Sequence, residues 1–144
     1  MIKNERQYRI TKAHVQKFEK TMHELTTASK PGVHPVLRKA QRDALKSQLS
    51  ALRRELVEYE TLRSGKQKRV VLGSLEELPK TLIQARITAG LSQEELAAKL
   101  GLKPQQIQRY EATEYQSASF ERVTAIVRVL GVKLRQPTEL CLAS

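Results

Sequence analysis

The stretch Leu91–Ser92–Gln93–Glu94–Glu95–Leu96–Ala97–Ala98–Lys99–Leu100–Gly101–Leu102–Lys103–Pro104–Gln105–Gln106–Ile107–Gln108–Arg109–Tyr110–Glu111 leaves the chain few choices of fold. Ser92 followed three residues later by Glu95 is a capping box, which starts a helix there. Leu96, Ala97 and Leu100 fall on one face at helical spacing. Gly101 supplies the left-handed backbone that ends this helix and turns the chain. Lys103 and Pro104 restart it, because proline at a first helical position forfeits no needed hydrogen bond. Ile107 and Tyr110 then form an inner face, leaving Gln105, Gln108, Arg109 and Ala112 on the outer side. Small Ala97 lets the second helix cross the first at close range.

Two short helices joined in this way make a helix-turn-helix. Through Arg86–Ile87–Thr88–Ala89–Gly90–Leu91–Ser92–Gln93, the two helices and the Ser119–Gly131 segment, the sequence resembles the Xre family. These are the Cro/cI-type helix-turn-helix proteins of phage repressors and bacterial regulators. The resemblance covers well under half of the chain and implies a lambda-repressor-like, all-helical domain. In such domains the second motif helix lies in the major groove and the first crosses the backbone. Gln105 and Arg109 are then the base readers, with Gln106 and Gln108 beside them. The chemistry agrees, since glutamine pairs bidentately with adenine and arginine with guanine. Pro104 stands at a position that often carries a base-reading side chain. Gln93 and Lys103 become phosphate anchors, aided by the N–H groups of a helix start. Tyr115, Ser117 and Ser119 in the following loop are further phosphate candidates. Arg86 and Glu111 match a pair that forms a salt bridge in many relatives; the plain alternative is two independent surface charges.

The net charge of +11 favours a polyanionic partner, nucleic acid before anionic membrane. Its placement is uneven. Residues 1–69 hold 17 Lys+Arg against 7 Asp+Glu, a net of +10, whereas residues 70–144 hold 9 against 8, a net of +1. The excess lies in a part that the resemblance does not reach. There, from about Asn4 to Thr27, Tyr8, Thr11, Val15, Phe18, Met22 and Leu25 alternate steps of three and four, the seam of a long helix. Lys30–Pro31–Gly32 breaks it. A second long helix from about Pro35 to Leu62 repeats the alternation through Leu45, Leu49, Leu52, Leu56 and Tyr59. A short break between long helices predicts an antiparallel hairpin. Arg38, Arg42 and Lys46, four apart and placed away from the leucine seam, read either as a solvated face or as a surface for flanking phosphates or an acidic partner.

Ser64–Gly65–Lys66–Gln67–Lys68–Arg69 is a basic linker, dividing a hairpin (1–69) from the helix-turn-helix domain (70–144). Val70–Val71–Leu72 and Val132–Lys133–Leu134–Arg135 read as short strands able to pair. Ser74 with Glu77 is another capping signal, and Pro79 opens a helix that ends at Gly90. The segment Glu111–Ser119 reads as a loop. Phe120, Val123, Ile126, Val127 and Leu130 give an amphipathic closing helix ended by Gly131. The tail from Gln136 is uninformative.

His14, His23 and His34 lack the spacing of a metal site, so no metal and no cofactor is expected. No nucleophile–base pair can be read, which argues against an enzyme. Cys141, the one cysteine, fits a reducing cytoplasm. The start has no apolar run and no segment nears a membrane span of about 20 residues. These features predict a cytoplasmic, sequence-specific regulator of double-stranded DNA, acting as a homodimer and most often a repressor. The dimer would use the hairpin, the Val132–Arg135 end, or both. The alternatives are an antitoxin that represses its own operon, or an adaptor whose hairpin recruits a protein. A hairpin of +10 is a poor electrostatic match for a basic ribonuclease toxin.

Overall fold

A computed structural model describes residues 1–27, 34–66, 69, 72 and 74–133. The chain is all-helical, with no strand among the described residues. It divides into two compact units, Met1–Gln67 and Lys68–Ser144. Val70, Val71, Leu134 and Arg135, on which the expected strand pairing depends, lie outside the described residues, as do Lys30–Pro31–Gly32 and the tail from Gln136.

The first unit is a pair of long helices, α1 (Glu5–Thr27) and α2 (Pro35–Arg63). Asn4 starts α1, its side-chain oxygen accepting from the Gln7 N–H at 2.9 Å. His34 caps α2, its Nδ1 accepting from the Val36 N–H at 3.3 Å, and Pro35 follows in the first turn. Contacts between the helices run in opposite order: Glu5 pairs with Arg63 at 2.9 Å and Glu19 with Arg53 at 2.5 Å. The helices are therefore antiparallel. Tyr8 stacks on Tyr59 with ring centroids 5.3 Å apart and donates its hydroxyl to Glu60 at 2.6 Å. Such exposed ion pairs contribute at most about 1 kcal/mol each. The apolar seam contributes more, yet only Val15, Leu49, Tyr59 and Leu62 along it are buried. Phe18, Met22, Leu25, Leu45, Leu52 and Leu56 remain half-buried.

The basic residues of α2 sit differently from the sequence expectation. Of Arg38, Arg42 and Lys46, the first two are half-buried and Lys46 is exposed. The positions 38, 42, 45, 49, 52, 56 and 59 continue one three-four alternation, so Arg38 and Arg42 extend the seam instead of standing away from it.

The second unit contains α3 (Leu78–Thr88), α4 (Gln93–Lys99), α5 (Pro104–Ala112) and α6 (Phe120–Val129). Leu82, Ile83, Leu96, Ala97, Ile107 and Ile126 form its core, each wholly inaccessible to solvent. A 3-10 turn, Leu75–Glu77, precedes α3, and Ser74 makes no side-chain cap there. Pro79 therefore falls in the first turn of α3 without opening it. Phe120 also departs from expectation: it is 86% exposed. Helical geometry puts it only about 20° around α6 from half-buried Val127, so spacing alone does not account for its exposure.

No described helix is long and apolar enough to cross a membrane, and no described group of three or more His, Cys, Asp or Glu could hold a metal ion.

Candidate nucleic-acid interface

The turn between α4 and α5 is built by local chemistry. The Ser92 side chain accepts from the Glu95 N–H at 3.1 Å, and the Glu95 carboxylate accepts from the Ser92 N–H at 2.7 Å. Donation from the Ser92 N–H first, and from the Ser92 side chain second, favours the charged carboxylate and holds the Glu95 pKa below its ordinary value. At the other end of α4, the Gly101 N–H reaches the Ala98 carbonyl at 3.2 Å and the Leu102 N–H reaches Ala97 at 2.9 Å. This is a Schellman ending, and Gly101 meets it at φ +65. Helix α5 ends in the same way, with the Tyr115 N–H on the Tyr110 carbonyl at 2.6 Å. There the left-handed residue is Glu114 (φ 48), followed by Tyr115 (φ 61). A side chain in that region is strained by about 1–2 kcal/mol.

Helix α5 buries Ile107, Tyr110 and Glu111 and exposes Gln105, Gln108, Arg109 and Ala112. The sequence expectation of a loop from Glu111 is therefore displaced, since Glu111 and Ala112 still belong to the helix. Arg109 lies with its guanidinium carbon 5.9 Å from the Tyr110 ring centroid. Gln106 is half-buried, and its side-chain oxygen accepts from the Lys103 N–H at 3.0 Å. That oxygen is committed to the helix start. Lys103 is exposed immediately before the helix.

Two expected phosphate anchors are turned inward. Gln93 is only 8% exposed, and its amide nitrogen donates to Glu111 at 2.7 Å. Tyr115 is 5% exposed. Ser117 and Ser119 are exposed; the Ser117 hydroxyl lies 2.9 Å from that of Thr113, and Ser119 caps α6 by accepting from the Arg122 N–H at 3.3 Å.

Beneath this face lies a buried polar cluster. Arg86 Nε donates to Glu111 Oε1 at 2.5 Å and Nη2 donates to Oε2 at 2.8 Å, a two-pronged, charge-assisted pair. Arg86 Nη1 also donates to the Leu91 carbonyl at 2.8 Å. With Gln93 included, one carboxylate ties α3, the first residue of α4 and the end of α5, and Arg86 adds the α3–α4 turn through Leu91. The part played by Gln93 carries no sequence signal, because it depends on a contact between residues distant along the chain.

Burial raises the Tyr115 hydroxyl pKa well above the ordinary 10.0; the Glu111 carboxylate adds to this and Arg86 opposes it. The unfolded chain therefore releases this proton first, so alkali above about pH 10 favours unfolding. On raising pH, Tyr115 is expected to ionise only as α3–α6 unfolds, with that absorbance step lost in Tyr115→Phe. Reversible ionisation of Tyr115 near pH 10, with the helical circular dichroism intact, would contradict its burial.

Residues 82–136 match the family model described as helix-turn-helix. No curated protein and no solved structure matches the chain.

Proposed function

We propose that the chain is a cytoplasmic, sequence-specific repressor acting as a homodimer on a pseudo-palindromic operator, since residues 82–136 match a helix-turn-helix family model of DNA-binding regulatory domains, of the Xre/Cro/cI type. One observation carries the reading. The second motif helix exposes two amides and a guanidinium, Gln105, Gln108 and Arg109, while its opposite face is packed into the core. Such groups pair with base edges in the major groove. Gln105 and Arg109 are the principal readers. Gln108 assists them, and Gln106, with its oxygen engaged at the helix start, contributes less. Lys103, Ser117 and Ser119 lie against phosphates, fixing register without reading sequence.

The half-buried seam of the hairpin supports the dimer. Two helices cover each other along one line, and a second copy would cover the exposed flanks of Phe18, Met22, Leu45 and Leu52.

In vitro selection with the full chain on random duplexes is expected to enrich a two-fold-symmetric sequence. Sedimentation of the protein with that duplex should give two chains per duplex. Recovery of no sequence above background would overturn the reading of α5. A monomer at tens of micromolar, with and without the duplex, would overturn the dimer.

A further inference from the structure

The structure shows where the charge of the first unit is presented. The seam of α1, from Tyr8 to Leu25, faces α2. At about 100° per residue, the opposite face of α1 carries Arg6, Arg9, Lys17 and Lys20, with Ala13 between them. All four cations are exposed, and none makes an ion pair among the described residues. The acids of α1 do little to neutralise them. Glu5 and Glu19 are engaged by Arg63 and Arg53 of α2, and Glu24, four residues after Lys20 on the same face, neighbours only that end of the row. Lys12 is turned aside over the Tyr8 ring, 5.7 Å from its centroid. Like charges a turn apart repel on a helix surface, so the fold itself gains nothing from this arrangement.

We propose that the outer face of α1 is a second nucleic-acid contact, a ridge that binds phosphates of duplex DNA flanking the site read by α5. The choice of duplex DNA as the polyanion rests on the DNA-binding reading of the second unit. From Arg6 to Lys20 the row rises about 21 Å along the helix. Duplex DNA carries one charge per about 1.7 Å of axis, so a row of that length passes many phosphates. Charge complementarity favours this partner: residues 1–69 carry a net of +10 and residues 70–144 only +1. The ridge thereby supplies attraction that the helix-turn-helix unit lacks. Contacts to phosphate position a protein without specifying sequence, so the ridge adds affinity and leaves base preference to α5.

The test uses the full chain carrying Arg6→Gln, Arg9→Gln, Lys17→Gln and Lys20→Gln, which keeps side-chain length and helix propensity. A charge-matched control carries Lys39→Gln, Arg54→Gln, Lys66→Gln and Arg69→Gln, all exposed and none on the outer face of α1. Two half-variants, Arg6→Gln/Arg9→Gln and Lys17→Gln/Lys20→Gln, cover the case in which the fourfold variant unfolds. Affinity is measured over a salt series for a selected duplex and for one of random sequence, after circular dichroism has verified folding. In the fourfold variant, the slope of log affinity against log salt should fall in magnitude by about 3.6 per bound chain, and by about half that in each half-variant. The ratio of affinities for the two duplexes should survive. An unchanged slope in folded variants, or an equal fall in the control, would overturn the ridge. A wild-type chain without sequence preference would defeat the reading of α5 alone, because the slopes on the random duplex still decide the ridge.

Discussion

Glu111→Ala is expected to cost the second unit about 3–5 kcal/mol, because it leaves the Arg86 guanidinium buried without its countercharge. Small domains are stable by about 5–15 kcal/mol, so the variant should sit near the edge of folding. The geometry sets this expectation: Glu111 is wholly inaccessible, Arg86 is 2% exposed, and two hydrogen bonds join them in parallel. Gln93 and the Leu91 carbonyl complete the cluster, so the loss should reach α3, α4 and α5 together. Hydrogen exchange read peptide by peptide separates this unit from the hairpin, whose protection should not change. The double variant Arg86→Met/Glu111→Leu removes both charges and should recover much of the loss, since apolar residues of similar volume often replace a buried pair without penalty. A cost below about 1 kcal/mol for Glu111→Ala would place the pair with ordinary surface bridges.

Arg109→Ala is expected to weaken binding to the selected duplex by about 1–3 kcal/mol per half-site and to relax preference at one base position. Arg109 is exposed on the face of α5 that also carries Gln105 and Gln108, so its removal should leave the core and the Arg86–Glu111 pair intact. Lys103→Ala supplies the contrast. It should weaken every sequence alike and reduce the salt slope by about 0.9 per phosphate lost. If Arg109→Ala instead binds all sequences uniformly worse, with preferences unchanged, Arg109 is a phosphate contact and the reader lies elsewhere on α5.

Much of the fold was legible because its signals are local. The Ser92–Glu95 box and the Gly101 turn operate within five residues, and both form as their sequence implies. The seams of α1 and α2 were legible from spacing, although the same count, carried two steps further, would have put Arg38 and Arg42 on the seam. Ser74 misled because a cap-like residue also precedes a 3-10 turn, and local sequence does not tell the two apart. At the candidate interface, the exposed row on α5 followed from the inner face defined by Ile107 and Tyr110. Gln93 and Tyr115 did not follow, since a polar side chain near a helix start or in a loop carries no mark of which way it turns.

By itself, the sequence determined the helices, most of their ends, the helix-turn-helix and the uneven charge. Each depends on propensity, capping or periodicity among near neighbours. The Arg86–Glu111 pair was expected from the resemblance, but tertiary structure alone decided that Glu111 would also gather Gln93 and, through Arg86, the Leu91 carbonyl, that Tyr115 would be buried, and that Phe120 would remain exposed. It also decided that Glu5 and Glu19 would be engaged across the hairpin, leaving four cations on the outer face of α1. The physical reason is common to all of these. The environment of a side chain is set by what packs against it, and these partners come from other helices or from residues many positions away.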